Sequence, residues 1–155
     1  MKIKLINSNK NALVDKEDFD NLNKFRWYLS TNGYVRSTIN KKRVLIHRFL
    51  LNPKEFFKVD HIDRNPLNNK KKNLRICSSR ENTLNSKPQS NKKYSKFKGV
   101  SYCNTEKRKK RWVAACELYG KRITIGRFNN ELEAAKAYNN KAKEIFGEFA
   151  YINKI

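Results

Sequence analysis

The chain has 155 residues, of which 36 are Lys or Arg and 14 are Asp or Glu, so its formal net charge is +22. A surface with this charge attracts a polyanion, and a membrane surface is a less expected partner because the sequence has no long basic amphipathic helix. The sequence has no apolar run of membrane-spanning length, nothing that resembles a signal peptide, and no C-x-x-C pair among its three cysteines. We therefore expect a soluble, cytoplasmic protein without structural zinc.

The N-terminal segment, residues 1–57, is predicted to form short strands and helices. Polar and apolar residues alternate over residues 2–6, which is the pattern of a half-buried strand. Asp15 stands where an N-terminal helix cap belongs, and the helix is predicted to run through Asn21.

A hairpin is predicted in the middle of this segment. Two strands, over residues 25–29 and 34–39, flank the pair Asn32-Gly33, which is typical of a tight turn. The apolar run 44–51 is predicted to end a strand and to begin a helix, which stops before Pro53.

Side chains suited to phosphodiester hydrolysis gather in residues 58–86. Asp60 and His61 are neighbours at the end of a predicted strand, so their side chains point in different directions. A neutral His can take a proton from water near pH 7, and a divalent cation held by oxygen ligands can stabilise the developing charge. A turn-rich loop follows, then a second strand over residues 73–76 and a helix capped by Ser78 or Ser79.

The segment from Val59 to Asn85 closely resembles the HNH endonucleases, in the branch of free-standing phage and intron homing enzymes. The resemblance implies a ββα-metal fold with His61 as general base and with Asp60 and Asn82 as ligands of Mg²⁺ or Mn²⁺. It gives Asn73 a structural role in bracing the loop. The implied reaction is attack of an activated water on the scissile phosphate, and the implied source is a phage, a virus or a mobile element.

Other side chains of this segment have open interpretations. Arg75 and Arg80 are possible phosphate contacts or part of a solvated basic face. His47 lies in an apolar run, and we favour a structural or DNA-backbone role over catalysis. Asp63 is interpreted as a turn cap rather than a ligand, and Asn85 is a weaker candidate than Asn82.

A basic, Pro-containing linker over residues 87–95 is followed by a predicted antiparallel meander. The linker is either a solvated tether or a segment that lies along phosphates. Three strands are expected, over residues 98–102, 111–118 and 122–128, with the last two joined by a turn at Gly120-Lys121.

One helix is predicted after the meander. Asn130 and Glu133 have the spacing of a capping box, and Gly147 is placed to end the helix. A core-facing stripe at helical spacing is predicted for Leu132, Ala135, Tyr138, Ala142 and Ile145.

The C-terminal region resembles the APETALA/ethylene-response-factor DNA-binding domain. The resemblance is carried by Lys98-Gly99-Val100, Trp112-Val113-Ala114, Gly120-Lys121-Arg122, Ile125-Gly126, Glu133-Ala134-Ala135-Lys136-Ala137-Tyr138 and Phe146-Gly147-Glu148-Phe149-Ala150. It implies that the free sheet face enters the major groove of DNA. The implied DNA-facing positions are Lys98, Ser101, Cys103, Arg111, Ala115, Glu117, Arg122 and Thr124. Lys98, Arg111, Arg122 and Arg127 are candidates for phosphate contacts, which position the protein without specifying sequence. Plant members usually carry Arg or Trp at several of these positions, so their base preference does not transfer.

The sequence therefore predicts an α+β protein with two domains: an HNH nuclease domain over residues 1–86, with its ββα-metal core at about 58–86, and a three-stranded sheet packed on one helix over residues 96–153. The expected function is a metal-dependent DNA endonuclease that the C-terminal sheet directs to double-stranded DNA. We expect it to act as a monomer without a small-molecule cofactor. Two alternatives stay open, namely a DNA-binding regulator with an inactive nuclease domain and a non-specific packing protein that only neutralises phosphate.

Overall fold

The computed structural model describes residues 1–88, 94–105 and 109–155. Most of the predicted linker and of the turn before residue 111 lies outside this part of the chain. Within it the protein is mixed α/β with several small antiparallel sheets, as expected at that level, and its contacts separate two compact units, Met1–Thr83 and Leu84–Ile155. No helix among the described residues is long and apolar enough to cross a membrane.

The elements up to residue 84 are short. In chain order they are β1 (Lys2–Lys4), β2 (Asn11–Leu13), α1 (Lys16–Asn23), β3 (Tyr28–Leu29), β4 (Val35–Ile39), β5 (Lys42–Leu45), α2 (Ile46–Leu51), β6 (Lys58–His61), β7 (Leu74–Cys77) and α3 (Ser79–Leu84). The strands pair antiparallel as β1-β2, β3-β4-β5 and β6-β7.

The predicted hairpin forms, although its first strand is shorter than expected. Only Tyr28 and Leu29 pair with β4. Before them, Phe25 N–H donates to Leu22 O at 3.1 Å and Trp27 O accepts from Ile6 N–H at 2.9 Å, so this stretch bonds outside the hairpin. Gly33 has φ +85°, and its N–H donates to Ser30 O at 2.9 Å, so the turn is where the sequence predicted it. The α2 helix ends at Leu51, with the following residue left-handed.

The N-terminus differs from the prediction in two respects. The first strand stops at Lys4 and pairs with β2, whose three residues are too few to show a pattern. Asp15 occupies the N-cap position of α1, but its side chain makes no capping bond there. Instead its Oδ2 accepts a hydrogen bond from the backbone N–H of Lys71 at 2.7 Å, which ties the start of α1 to the segment before β7.

The core of the first unit is centred on Trp27. This side chain is 1% exposed, and its indole N–H donates to Leu22 O at 2.8 Å. Phe25 and Phe49 contact its ring edge-on, with centroids 6.4 and 6.2 Å away. The other buried core members are Ile3, Leu5, Ala12, Val14, Leu22, Val35 and Ile46.

The second unit is a meander packed on one helix. Its strands are β8 (Val100–Tyr102), β9 (Trp112–Leu118) and β10 (Lys121–Phe128), in the order β10-β9-β8, and its helix is α4 (Glu131–Phe146). Asn130 Oδ1 accepts from Glu133 N at 2.9 Å while its amide donates to the Glu133 carboxylate at 2.8 Å, so the predicted capping box is confirmed.

Two details of this unit correct the prediction. The turn before β10 is Tyr119-Gly120, with φ +51° and +74°, and Lys121 already belongs to the strand. Leu132 is 51% exposed, whereas Ala134 is fully buried. The buried stripe runs through residues 134, 138 and 142. Leu132 precedes Ala134 by two residues and therefore lies about 200° around the helix from it.

Gly99 is required by close packing against α4. Its φ is +73°, and a Cβ there would lie 1.9 Å from Tyr138 Cδ2 and 2.7 Å from Ala115 O. The absence of a side chain therefore allows the Tyr138 ring, 3% exposed, to enter the core beside β8.

Candidate active site

The β6-β7 hairpin holds the acidic and imidazole side chains of the candidate site. Asp60 and His61 are consecutive residues of β6, and they are 7% and 5% exposed. In the antiparallel register Asp60 lies opposite Arg75, and His61 lies opposite Leu74. The hairpin therefore presents a buried carboxylate and a buried imidazole from adjacent positions.

Arg75 forms an ion pair with Asp60. Its Nη2 and Nε both donate to Asp60 Oδ2, at 2.7 and 3.0 Å. The two side chains are only 11% and 9% exposed, which distinguishes the pair from a solvated surface bridge. The cross-strand register explains the contact, because directly opposed residues project from the same face of the sheet.

Asn69 fixes the tautomer of the neutral His61 ring. His61 Nε2 lies 3.1 Å from Asn69 Oδ1, and the Asn69 amide nitrogen donates to Pro66 O at 3.1 Å. That second bond orients the amide, so the atom facing His61 is the carbonyl oxygen, which only accepts. His61 Nε2 therefore carries the proton in the neutral ring, and Nδ1 carries the lone pair.

The position of Asn69 depends on β2. Its backbone N–H donates to Leu13 O at 2.8 Å, while Leu13 N–H donates to Leu67 O at 2.7 Å. Asn69 is 0% exposed, so its side chain is held on all sides. From the sequence, this residue was expected only to be part of a turn-rich loop. Its one sequence signal is the doubled Asn68-Asn69, which does not reveal a long-range partner.

Two further rings pack on His61. His47, from α2, is 4% exposed, and its ring centroid lies 5.1 Å from that of His61 in an edge-on arrangement. Tyr34 lies 5.3 Å from His47 and 6.1 Å from His61. His47 Nδ1 is buried and has no hydrogen-bond partner among the described residues. These contacts restrict the tilt of the His61 ring, which a single hydrogen bond leaves open.

Burial dominates the electrostatics of both imidazoles. It lowers the pKa of His61 below 6.5, although the Asn69 hydrogen bond and the nearby carboxylates oppose the shift. It lowers the pKa of His47 to about 4, and the charges of His61 and Arg48 act in the same direction. Both rings are therefore neutral near pH 7, and a neutral ring is the form in which a histidine can act as a base.

Asn73 bridges the loop between the two strands. Its side-chain amide donates to Asp63 Oδ1 at 2.9 Å and to Asn68 O at 2.8 Å, and its Oδ1 accepts from Asp63 N at 3.0 Å. Asp63 Oδ1 also accepts from Asn65 N at 2.8 Å, the bond of an Asx turn. The Asp63 side chain is thus used within the loop, as the turn-cap interpretation expects.

The α3 helix carries Asn82 and begins with a capping box. Ser78 Oγ accepts from Glu81 N at 3.2 Å, and the Glu81 carboxylate accepts from Ser78 N at 2.7 Å. Ser78, and not Ser79, is therefore the cap. Asn82 is half-buried, one turn into the helix that directly follows β7. Arg80 is exposed on the same helix.

The donor chemistry of this region fits a hard divalent cation. Asp60 offers a carboxylate and Asn82 an amide oxygen, and both are ligand types that Mg²⁺ accepts while it keeps water and phosphate oxygens. No group of three or more His, Cys, Asp or Glu side chains within the described residues is arranged to hold a metal ion. A cation here would accordingly have few protein ligands.

The outer face of the C-terminal sheet carries the other predicted contacts. Ser101, Glu117, Arg122 and Thr124 are exposed on the face opposite α4, and Arg122 Nη2 lies 3.5 Å from Ser101 Oγ. Arg111 and Arg127 are half-buried at the same sheet. Ala115 and Val113 are buried between the longer side chains and form the floor of this face.

Lys98 is placed differently from the other predicted contacts. Its ammonium donates to Leu84 O at 2.6 Å and to Ser86 O at 2.8 Å, and it lies 5.4 Å from the centre of the Tyr151 ring. Its charge is therefore directed to carbonyl oxygens rather than presented from the sheet face.

The three cysteines are unpaired and differ in environment. Cys77 and Cys116 are buried, and burial raises the pKa of the Cys77 thiol to about 11 and also raises that of Cys116. Cys103 follows β8 with its sulfur 3.3 Å from Thr105 Oγ1. Hydrogen bonds from Thr105 are the main cause that lowers the pKa of Cys103 to about 7, and the contact with Arg127 acts in the same direction.

Comparisons with known proteins identify the family. Residues 53–84, which contain Asp60, His61, Asn73 and Asn82, match the model of the HNH endonuclease family. The uncharacterized HNH endonuclease L560 of Acanthamoeba polyphaga mimivirus is 34% identical over 151 residues, which cover 93% of this chain and 75% of that protein. Protein 3.8 of Escherichia phage T7 is 35% identical over 99 residues, covering 63% and 76% of the two chains. No solved structure matches the chain.

The match to the mimivirus protein extends through both compact units, so the likeness is not limited to the short hairpin motif. Within the motif, the aligned segment coincides with the buried Asp60-His61 pair and the helix that carries Asn82. This chain therefore belongs to the HNH endonuclease family and is a DNA nuclease.

Proposed function

We propose that the chain hydrolyses DNA phosphodiester bonds with His61 as the general base. The observation that carries the proposal is the buried His61 ring, held beside Asp60 on β6 with its Nε2 3.1 Å from Asn69 Oδ1. In the tautomer with the proton on Nε2, the lone pair is on Nδ1, which can accept a proton from water.

The remaining roles follow the resemblance to the HNH endonucleases, and the donor types are compatible with them. Asp60 and Asn82 would hold the divalent cation, Mg²⁺ or Mn²⁺, which when bound stabilises charge on the leaving 3′ oxygen. His61 takes one proton from the attacking water, the water oxygen bonds to phosphorus, and the bond from phosphorus to the 3′ oxygen breaks. Asn73 keeps the loop after β6 closed through its bonds to Asp63 and Asn68.

We assign DNA binding to the C-terminal sheet, which resembles the APETALA/ethylene-response-factor domain. Its outer face carries side chains that can contact bases or phosphates, and its other face is occupied by α4. The exposed members of the assigned set are Ser101, Glu117, Arg122 and Thr124, with Arg111 and Arg127 half-buried beside them. Arg80, exposed on α3, is assigned to phosphate.

The biological setting of the proposal is a virus-encoded, homing-type nuclease that acts as a soluble monomer. Both relatives described above are viral proteins, which supports the viral part of this setting. A single general base in the chain suits a nick, or two cuts in succession, better than a concerted double-strand break.

The test is nicking of supercoiled plasmid that carries genomic DNA of the source. We expect relaxation with Mg²⁺, none with EDTA, and a loss of at least about 100-fold in rate for His61→Ala. Circular dichroism of the variant must match the unchanged chain, so that lost activity is not lost folding. Tight, sequence-preferring binding without any nicking would contradict the proposal and support a DNA-binding regulator.

A further inference from the structure

The charge around the candidate metal ligand Asp60 is unusual for a cation site. The carboxylate is 9% exposed and already paired with Arg75, which donates two hydrogen bonds to one of its oxygens. The pair has no net charge, and the other assigned ligand, Asn82, is neutral. Glu81 acts electrostatically on Arg75 and Asp63 acts on His61, but both carboxylates accept hydrogen bonds within the α3 cap and the loop. The two assigned ligands, with Arg75 in place, therefore offer a divalent cation little electrostatic attraction.

A cation that binds Asp60 must either displace the guanidinium or share the carboxylate with it. Displacement breaks two charge-assisted hydrogen bonds at a buried carboxylate. Sharing leaves the positive guanidinium of Arg75 beside the divalent cation. Both costs disappear or shrink when a phosphate arrives, because an anionic oxygen can pair with the guanidinium and also serve as a ligand.

We propose that Arg75, acting through Asp60, prevents metal binding at this carboxylate until the DNA phosphate is present. The inference rests on the proposed nuclease function and adds an order of events to it, since metal and DNA would load together. It also changes the interpretation of Arg75, which the sequence left open between a phosphate contact and a solvated basic face. In the structure its partner is the carboxylate that the cation needs.

The experiment measures Mn²⁺ binding to the full chain without DNA. Electron paramagnetic resonance reports the concentration of free Mn²⁺ and therefore how much is bound. We expect weak binding by the unchanged protein and binding at a concentration roughly tenfold lower or more for Arg75→Gln, which removes the positive charge. Arg75→Lys keeps the charge and should bind as weakly as the unchanged protein. Arg43→Gln, which removes an exposed charge on β5, is the matched control and should change little.

A second readout protects the test against a variant that folds poorly. If a cation can take the place of the guanidinium, Mn²⁺ must raise the melting temperature of Arg75→Gln by more than it raises that of the unchanged protein. Equal or weaker Mn²⁺ binding by Arg75→Gln, or no added thermal protection, overturns the inference.

DNA dependence completes the experiment. In the His61→Ala variant, plasmid DNA should increase the amount of Mn²⁺ bound at the site. The Mn²⁺ bound by the Asp60→Asn, His61→Ala double variant with the same DNA is subtracted, because it measures binding elsewhere. Micromolar Mn²⁺ affinity without DNA in a protein that nicks normally overturns this inference alone. Failure of both nicking and Mn²⁺ binding in every variant overturns the proposed function as well.

Discussion

At the scale of single residues, the orientation of His61 is the feature on which the proposed chemistry depends. One hydrogen bond to Asn69 sets the tautomer, and the rings of His47 and Tyr34 limit the tilt. These three partners come from three different segments, so the base is oriented by tertiary structure rather than by its own strand.

Replacement of Asn69 should therefore impair catalysis more than substrate binding. For Asn69→Ala we expect kcat to fall roughly 10- to 100-fold with KM within about threefold, because the tautomer is no longer fixed. Asn69→Asp keeps an acceptor at Nε2 and should retain more activity. Its negative charge favours protonated His61, so its rate should require a higher pH. A kcat for Asn69→Ala equal to that of the unchanged chain would show that Asn69 has no such role.

The pH dependence of nicking follows from the lowered pKa of His61. The base acts only when neutral, so kcat/KM should rise with pH and level off, with its midpoint below pH 6.5. Initial rates over about pH 4.5 to 8, with a fixed Mg²⁺ concentration, test this. A midpoint clearly above the ordinary histidine value would mean that burial does not control this ring.

His47 should make folding stability depend on pH in a defined window. Its pKa in the folded chain is about 4 against an ordinary value of 6.5, so the unfolded state binds protons first as the pH falls. Stability should be complete above about pH 6.5 and decrease by about 3 kcal/mol by pH 4. Urea unfolding of His47→Phe, which keeps an aromatic ring, should lose less stability over this window. Parallel curves for the two proteins would contradict this assignment.

At the scale of elements, close packing between β8 and α4 is the most demanding contact of the C-terminal unit. Gly99 and Gly120 have nearly the same φ, +73° and +74°, but only Gly99 lies against another group. The two positions therefore separate the cost of backbone conformation from the cost of steric overlap.

Alanine at these two positions should have very different effects. Gly99→Ala places a Cβ on the buried Tyr138 ring and should destabilise the unit by roughly 3 kcal/mol or more. Gly120→Ala meets no neighbour within 4 Å and should cost about 1 kcal/mol from its φ alone. Chemical denaturation followed by tryptophan fluorescence compares them, and similar losses for both would refute the packing argument.

Elements with strong local signals were predictable from the sequence. The capping box at Asn130 and the Pro53 stop of α2 depend on residues close in the chain, and both formed. By contrast, the bonds that join Leu13 to residues 67 and 69, and the Lys71 bond that occupies Asp15, depend on partners far along the chain. The same holds at the site, where Asp60 and His61 stood out by type and spacing. Their partners Arg75 and Asn69 follow from strand register and from contacts with β2, which no local pattern encodes.

At the scale of the whole molecule, charge is the dominant property. The excess of +22 is carried by a chain whose two compact units have separate cores. Binding of DNA by such a protein must release counterions, so affinity should decrease steeply with salt. Much of the affinity would then be independent of sequence, with base contacts adding preference.

The contribution of the C-terminal face can be separated from this general attraction. Arg122→Ala should reduce the slope of log affinity against log salt by about one, because it removes one phosphate contact or its equivalent. Lys136→Ala, which removes an exposed charge on α4 away from the sheet face, should leave the slope nearly unchanged. Fluorescence anisotropy with a labelled duplex in EDTA measures both, and equal slopes for the two variants would place DNA elsewhere.

The unequal acidity of the three thiols has a practical consequence for such binding experiments. With a pKa of about 7, roughly half of Cys103 is thiolate at neutral pH, whereas Cys77 and Cys116 are buried and protonated. A maleimide dye should therefore label the native chain at one position, at the end of β8, without any engineered cysteine. The dye would lie beside the face assigned to DNA, so a dye attached to the natural Cys103 could report DNA binding by a change in its fluorescence.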